Sequence, residues 1–107
     1  MEKFYCPYLN AAVELTDERE IHIAEHHPDL LPANRERIAG TLADPDQVRR
    51  STRFSSARLF SRWFTDLLDG EHVVVVVISQ ATKQRHWIAT AYIARKLAEG
   101  EIEWEKS

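Results

Sequence analysis

A chain of 107 residues is long enough for one hydrophobic core and too short for two, and 44% hydrophobic content with only seven Gly or Pro residues is globular rather than disordered. The longest apolar run, Val73 to Ile78, falls far short of the ~20 residues of a membrane-spanning helix, so no membrane partner is expected. A net charge of −3 weighs against strong nonspecific binding to nucleic acid.

The opening Met1-Glu2-Lys3-Phe4 has no basic segment followed by an apolar one and does not read as a signal peptide. Cys6 is the sole cysteine, which excludes an internal disulfide and makes a reducing cytoplasm the natural setting. Phe4-Tyr5-Cys6 and Ala12-Val13-Glu14-Leu15 can pair as a small hairpin around Pro7 to Asn10. Thr16 suits a helix N-cap, and Asp17, Glu18 and Glu20 suit the positive end of the helix dipole. That helix should run to about His27, where Pro28 disfavours helical geometry. A second helix fits about Ala33 to Leu42, with Pro32 near its start and Asp44-Pro45 as its stop.

The period then changes. Gln47 to Thr52, Arg58 to Phe64, His72 to Ser79 and Arg85 to Tyr92 read as strands, with Asp69-Gly70 and residues 80–84 as turns. Short turns between consecutive strands imply an antiparallel meander. Ile93 to Glu99 reads as a short helix ending at Gly100, and Ile102 to Trp104 as an edge strand. The expected fold is therefore α+β, a single domain over residues 1–107, with two helices first, packed on one face of a three- or four-stranded antiparallel sheet. On the 58–64 strand Leu59 and Trp63 are assigned to the core. Arg58, Phe60, Arg62 and Phe64 then fall on an open face.

Charge is unevenly spread. Nine acidic and three basic residues lie between Glu14 and Asp46, whereas Arg49, Arg50, Arg53, Arg58 and Arg62 follow with no acid before Asp66. Lys83, Arg85, Arg95 and Lys96 continue the basic half. These are solvated faces, or else a phosphate-binding surface facing away from an acidic helical half.

Three constellations can carry chemistry. In HIAEHHP, residues 22–28, His27 falls on the apolar side of the helical wheel and His22 and His26 on the far side. An imidazole with a reference pKa of ~6.5 exchanges protons near neutrality. The plain alternative is that His27 closes the helix end and that His22 and His26 are surface. His22, Glu25 and His26 also spell an inverted zinc-peptidase pattern, but nothing supplies a third ligand, and neither a metal nor a cofactor is expected. The second constellation is Arg58, Phe60, Arg62 and Phe64, where guanidinium groups can hold phosphates and rings can stack on bases. Arg53 and Arg95 from the flanking basic stretches join Arg58 and Phe60 as substrate-binding candidates. The third is the strand ending in Thr90-Ala91-Tyr92, whose hydroxyls can donate to a phosphate.

LTDEREIHIAEHHPDL followed by ADPDQV, RLFSRWF, VVVVV and IATAYIARKL resembles the phage-associated barnase–EndoU–colicin–RelE-like nuclease group, over roughly residues 15–104. The resemblance implies helices packed on a four-stranded antiparallel sheet and RNA cleavage without a metal. It assigns His22 and His27 as the helix histidines, Arg62 as the strand arginine, and Thr90 and Tyr92 as the late-strand hydroxyls. The competing reading is a noncatalytic module that binds protein or RNA. A protein partner or inhibitor fits either, and exposed edge strands suit a dimer. Cleavage gains if His27 and Arg62 converge on one open hollow. Binding gains if His27 is sealed in the core and Arg62 is paired with Asp or Glu, and placement of the two groups on opposite sides of the molecule with no groove between them would end the nuclease reading.

Overall fold

The computed structural model describes residues 1–97 and 100–107. The chain opens with strands β1 (Glu2–Cys6) and β2 (Ala11–Leu15), paired with Phe4 opposite Val13. Alternation puts Phe4, Cys6, Val13 and Leu15 inside, and Asn10 supplies the left-handed turn residue at φ 51°. Helix α1 (Asp17–His26) starts where Thr16 Oγ1 accepts from Arg19 N at 3.2 Å and is closed by His27 as its C-cap, directly before Pro28. Helix α2 (Arg35–Ala43) buries Ile38, Thr41 and Leu42. Arg35 joins the hairpin to both helices through ion pairs with Glu2 and Glu20.

Strands β3 (Gln47–Arg50), β4 (Ala57–Phe64), β5 (Glu71–Gln80) and β6 (Arg85–Ala94) form the expected meander, and β7 (Glu101–Glu105) pairs with β3. The whole is one seven-stranded sheet in the order β1-β2-β6-β5-β4-β3-β7. It is mixed, because β2 meets β6 in parallel at Glu14 and Trp87. This corrects the expected three- or four-stranded antiparallel sheet, and the hairpin, not a helix, comes first. The missed step is nonlocal: residues 14 and 87 pair across most of the chain, which no short-range turn signal announces. The short helix expected at 93–99 is also corrected. Strand β6 continues to Ala94 because Ile93 and Ala94 still pair with Val73 and His72, and residues 95–96 bend. Residues 98 and 99 lie outside the described residues.

The faces of β4 are the reverse of expectation. Phe60 is fully buried in the main core with Val73, Val75 and Val77, beneath Tyr8 of the hairpin turn at a ring distance of 5.9 Å. Burying such a ring contributes about 1.5–3 kcal/mol. Trp63 is 41% exposed on the other side. Leu59 and Val74 are nonetheless buried there too, where Arg53 and Phe54 of the loop before β4 border a cavity with Leu59, and Leu97 borders another with Ser61. Leu97 shares a cavity wall with Ser61 and His72, and Gly100 sits so close to Arg50 that a Cβ would stand 2.9 Å from its carbonyl oxygen. The sheet thus has two apolar faces. No helix among the described residues is long and apolar enough to cross a membrane.

Candidate functional site

Helix α1 lies along the flank of β6 that β2 leaves uncovered. Arg19 Nη1 donates to the Ala89 carbonyl at 3.3 Å, and Ile23 anchors the buried side. At the helix end His27 N donates to Ile23 O at 2.7 Å, and the imidazole comes to 6.0 Å from the Tyr92 ring, tilted by 39°. Tyr92 and Thr90 pair with Val74 and Val76 and so share the outer face. A cavity of about 210 Å³ opens there, lined by Arg53, Phe54, Leu59, Val76, Thr90 and Tyr92 among others. Its rim is shaped by Ser51 Oγ, which accepts from Arg53 N at 3.1 Å and Phe54 N at 3.2 Å. Phe54 is 65% exposed. Arg53 and Tyr92 each have interactions of their own within the chain.

Arg53, Thr90 and Tyr92, from the basic loop and the late strand, therefore line one cavity, and His27 meets it through its ring contact with Tyr92. His22 sits a turn earlier on α1. Loss of surrounding solvent, and then the neighbouring His26 and Arg19, hold its imidazole below the ordinary 6.5, and His27 is near enough to contribute. His26 Nδ1 lies 2.9 Å from the His22 carbonyl, and the two rings are 4.2 Å apart.

The strand arginines go elsewhere. Arg62 Nη1 donates to the Gly40 carbonyl of α2 at 3.2 Å, with its guanidinium 5.1 Å from the Phe64 ring centroid. Arg58 Nε donates to Glu103 Oε2 at 2.9 Å. Phe60 is sealed in the core, and Arg95, at the end of β6, stands 3.5 Å from Glu71. His27, beside Tyr92, and Arg62, bonded to Gly40 of α2, thus have separate partners and are not brought together. The expected open face of Arg58, Phe60, Arg62 and Phe64 is corrected, because that side of β4 packs under α2 and the hairpin.

Two features lay beyond the sequence reading. Phe54 follows Arg53 directly, and an aromatic beside an arginine in a short loop was the available signal. The Ser79 hydroxyl lies 2.7 Å from His86 Nδ1, a contact visible only once the two strands are in register. Burial and then Arg58 hold His86 below the ordinary imidazole value. No protein-family model, no curated protein and no solved structure matches this chain.

Proposed function

We propose that the chain is a metal-independent, RNA-directed nuclease-like domain whose site is the outer-face groove between α1, β6 and the 51–54 loop. The observation that carries this reading is the approach of the His27 imidazole to Tyr92 beside a cavity that also holds Arg53 and Thr90. Arg53 takes a phosphate, and Phe54 offers a face for an unpaired base. A base, His27 or His22, removes the ribose 2′-OH proton. The freed oxygen attacks the adjacent phosphorus, and the bond to the 5′-oxygen breaks. The other histidine protonates that oxygen, leaving a 2′,3′-cyclic phosphate and a 5′-hydroxyl. Thr90 and Tyr92 donate to the phosphate oxygens as charge builds. The role first given to Arg62 passes to Arg53. With Cys6 buried as a free thiol, a reducing cytoplasm is the proposed setting.

A second reading, RNA or protein binding without cleavage, is favoured by the engagement of Arg58 and Arg62 inside the fold. The outer edges of β1 and β7, unpaired among the described residues, suit a protein inhibitor or a second copy in either case. The deciding experiment incubates purified protein with single-stranded RNA in excess EDTA, beside His27→Ala. Cleavage in wild type and its loss in the variant support the nuclease. Binding without cleavage supports the second reading, and cleavage that survives the substitution removes His27 from the mechanism.

A further inference from the structure

A larger cavity, about 310 Å³, opens farther along the same outer face, around Ser61 and His72 rather than Thr90 and Tyr92. Asp46, Gln47, Glu105 and Lys106 complete most of its wall. Asp46 is rigidly held. Its N–H donates to Ser61 O at 2.8 Å, its carbonyl accepts from Lys106 N at 2.9 Å, and its Oδ2 accepts from Trp63 N at 2.7 Å. Glu105 Oε2 accepts from Gln47 Nε2 at 2.7 Å. Lys106, the cationic side chain among the described lining residues, directs its Nζ to Asp44 at 3.0 and 3.1 Å. Among the described residues neither Asp46 nor Glu105 has an ion pair, so two carboxylates border one hollow, with Lys106 turned to Asp44 and the buried Arg49 near His72 as the neighbouring cations.

Ser61 supplies the independent observation. It is fully buried at the cavity floor, and its hydroxyl has no hydrogen-bond partner among the described residues. A buried hydroxyl left unsatisfied costs about 1–3 kcal/mol, which a ligand that engages it would relieve. Burial, reinforced by Arg49, holds His72 below its ordinary value against the opposing pull of Asp46 and Glu71. At neutral pH its ring is an uncharged partner, backed by the edge of Trp63 at 4.9 Å.

We propose that this cavity is a binding site for an aliphatic primary amine, held as its ammonium ion. The ammonium group brings three donors and no acceptor, which matches carboxylates, a hydroxyl oxygen and a neutral imidazole. An anion would meet the Asp46 and Glu105 carboxylates, neither of which has an ion pair among the described residues. The volume sits at the small end of the ~300–1,000 Å³ usual for ligand sites, enough for a short alkyl chain. The site is separate from the proposed nuclease groove and stands or falls without it.

The test titrates 1,4-diaminobutane into 15N-labelled full-length protein at constant ionic strength and follows the amide resonances of Gln47, Ser61 and His72. Saturable shifts confined to this end of the sheet are expected, with none from an equal concentration of potassium chloride. Asp46→Asn retains an acceptor for Trp63 N and Glu105→Gln retains one for Gln47. Each should weaken binding about tenfold, the scale of one charge-assisted hydrogen bond. Ser61→Ala should weaken it more modestly. Shifts that grow linearly without saturation, that are matched by potassium chloride or displaced in favour of magnesium, or that are unchanged in both charge-removing variants would overturn the assignment.

Discussion

The phenolic hydroxyl of Tyr8 donates a 2.7 Å hydrogen bond to Oε2 of Glu103, joining the turn of the first hairpin to the last strand. The same carboxylate accepts from Arg58 Nε at 2.9 Å and lies 3.2 Å from Arg50 Nη2. Burial pushes the Glu103 carboxyl up, but the Tyr8 hydroxyl and the Arg58 and Arg50 guanidinium groups outweigh it and hold the group below its ordinary 4.5. A depressed folded value means stability that is present above 4.5 and lost as pH falls through the lower folded value. Glu103→Gln should therefore cost about 1–3 kcal/mol at neutral pH, and less in acid. Urea melts of both proteins at neutral pH and well below 4.5 check this. An equal gap at both pH values would remove the carboxylate charge from the account.

A second pH effect belongs to His72 and His86, both held below 6.5 chiefly by burial. Unfolding releases them to their ordinary value, so below 6.5 the unfolded chain binds more protons than the folded one. Stability should fall as pH drops from about 7 toward 5. Replacing both with Gln should flatten that slope. Stability that rises over the same interval would show that these imidazoles gain protons on folding.

The glycines of α2 and of the β4–β5 turn should respond in opposite directions. Gly70 sits at φ +110°, and a Cβ there would meet Trp63 Cζ2 at 2.4 Å. Gly70→Ala should destabilise by more than about 1 kcal/mol. At Gly40 the nearest atom to a new Cβ is Arg62 Nη1 at 3.5 Å, an ordinary contact. Gly40→Ala should stabilise by about 0.5–1 kcal/mol through helix propensity. Thermal melting of the two variants decides both.

Ser61→Ala should raise stability by about 1 kcal/mol, because it removes a buried hydroxyl with no partner among the described residues and leaves the backbone bond from Asp46 N intact. Differential scanning calorimetry reads this directly, and a loss of similar size would mean that the hydroxyl is satisfied in solution.

On RNA the arginines should divide by face. Arg53→Ala should reduce cleavage by about tenfold or more, as expected for loss of one charged contact to a phosphate. Arg62→Ala should leave cleavage within a few-fold while lowering the melting temperature, since its guanidinium serves Gly40 and Phe64. A reversed pattern would return the phosphate to the α2 side of the sheet and move the proposed groove with it.

Local chemistry was legible in the sequence wherever one residue decides the outcome. Thr16 caps α1, Pro28 follows its end, and the β1–β2 hairpin turns over 7–10 with Asn10 in the left-handed region. The faces of β4 were not legible, because Leu59 and Trp63 on one parity and Phe60 and Phe64 on the other are equally apolar. The uninterrupted valines from Val73 to Val77 carried the missing information: both parities of β5 are covered, as in a strand with layers on each side. Within the site, Thr90 and Tyr92 could be placed together by alternation alone. Their meeting with Arg53 and His27 depends on knowing the outer face, and so does the place of Arg62 beside Gly40 of α2.

The strand order has a kinetic consequence. The hairpin that opens the chain is bonded to β6, and β7 is bonded to β3, so each edge of the sheet joins the central meander through a pairing distant in sequence. The loops that these edges close span much of the polypeptide, and their entropy is lost before their contacts form. Refolding from denaturant should therefore take milliseconds to seconds rather than microseconds, with the central valine ladder as nucleus and the Tyr8–Glu103 clasp among the last bonds to form.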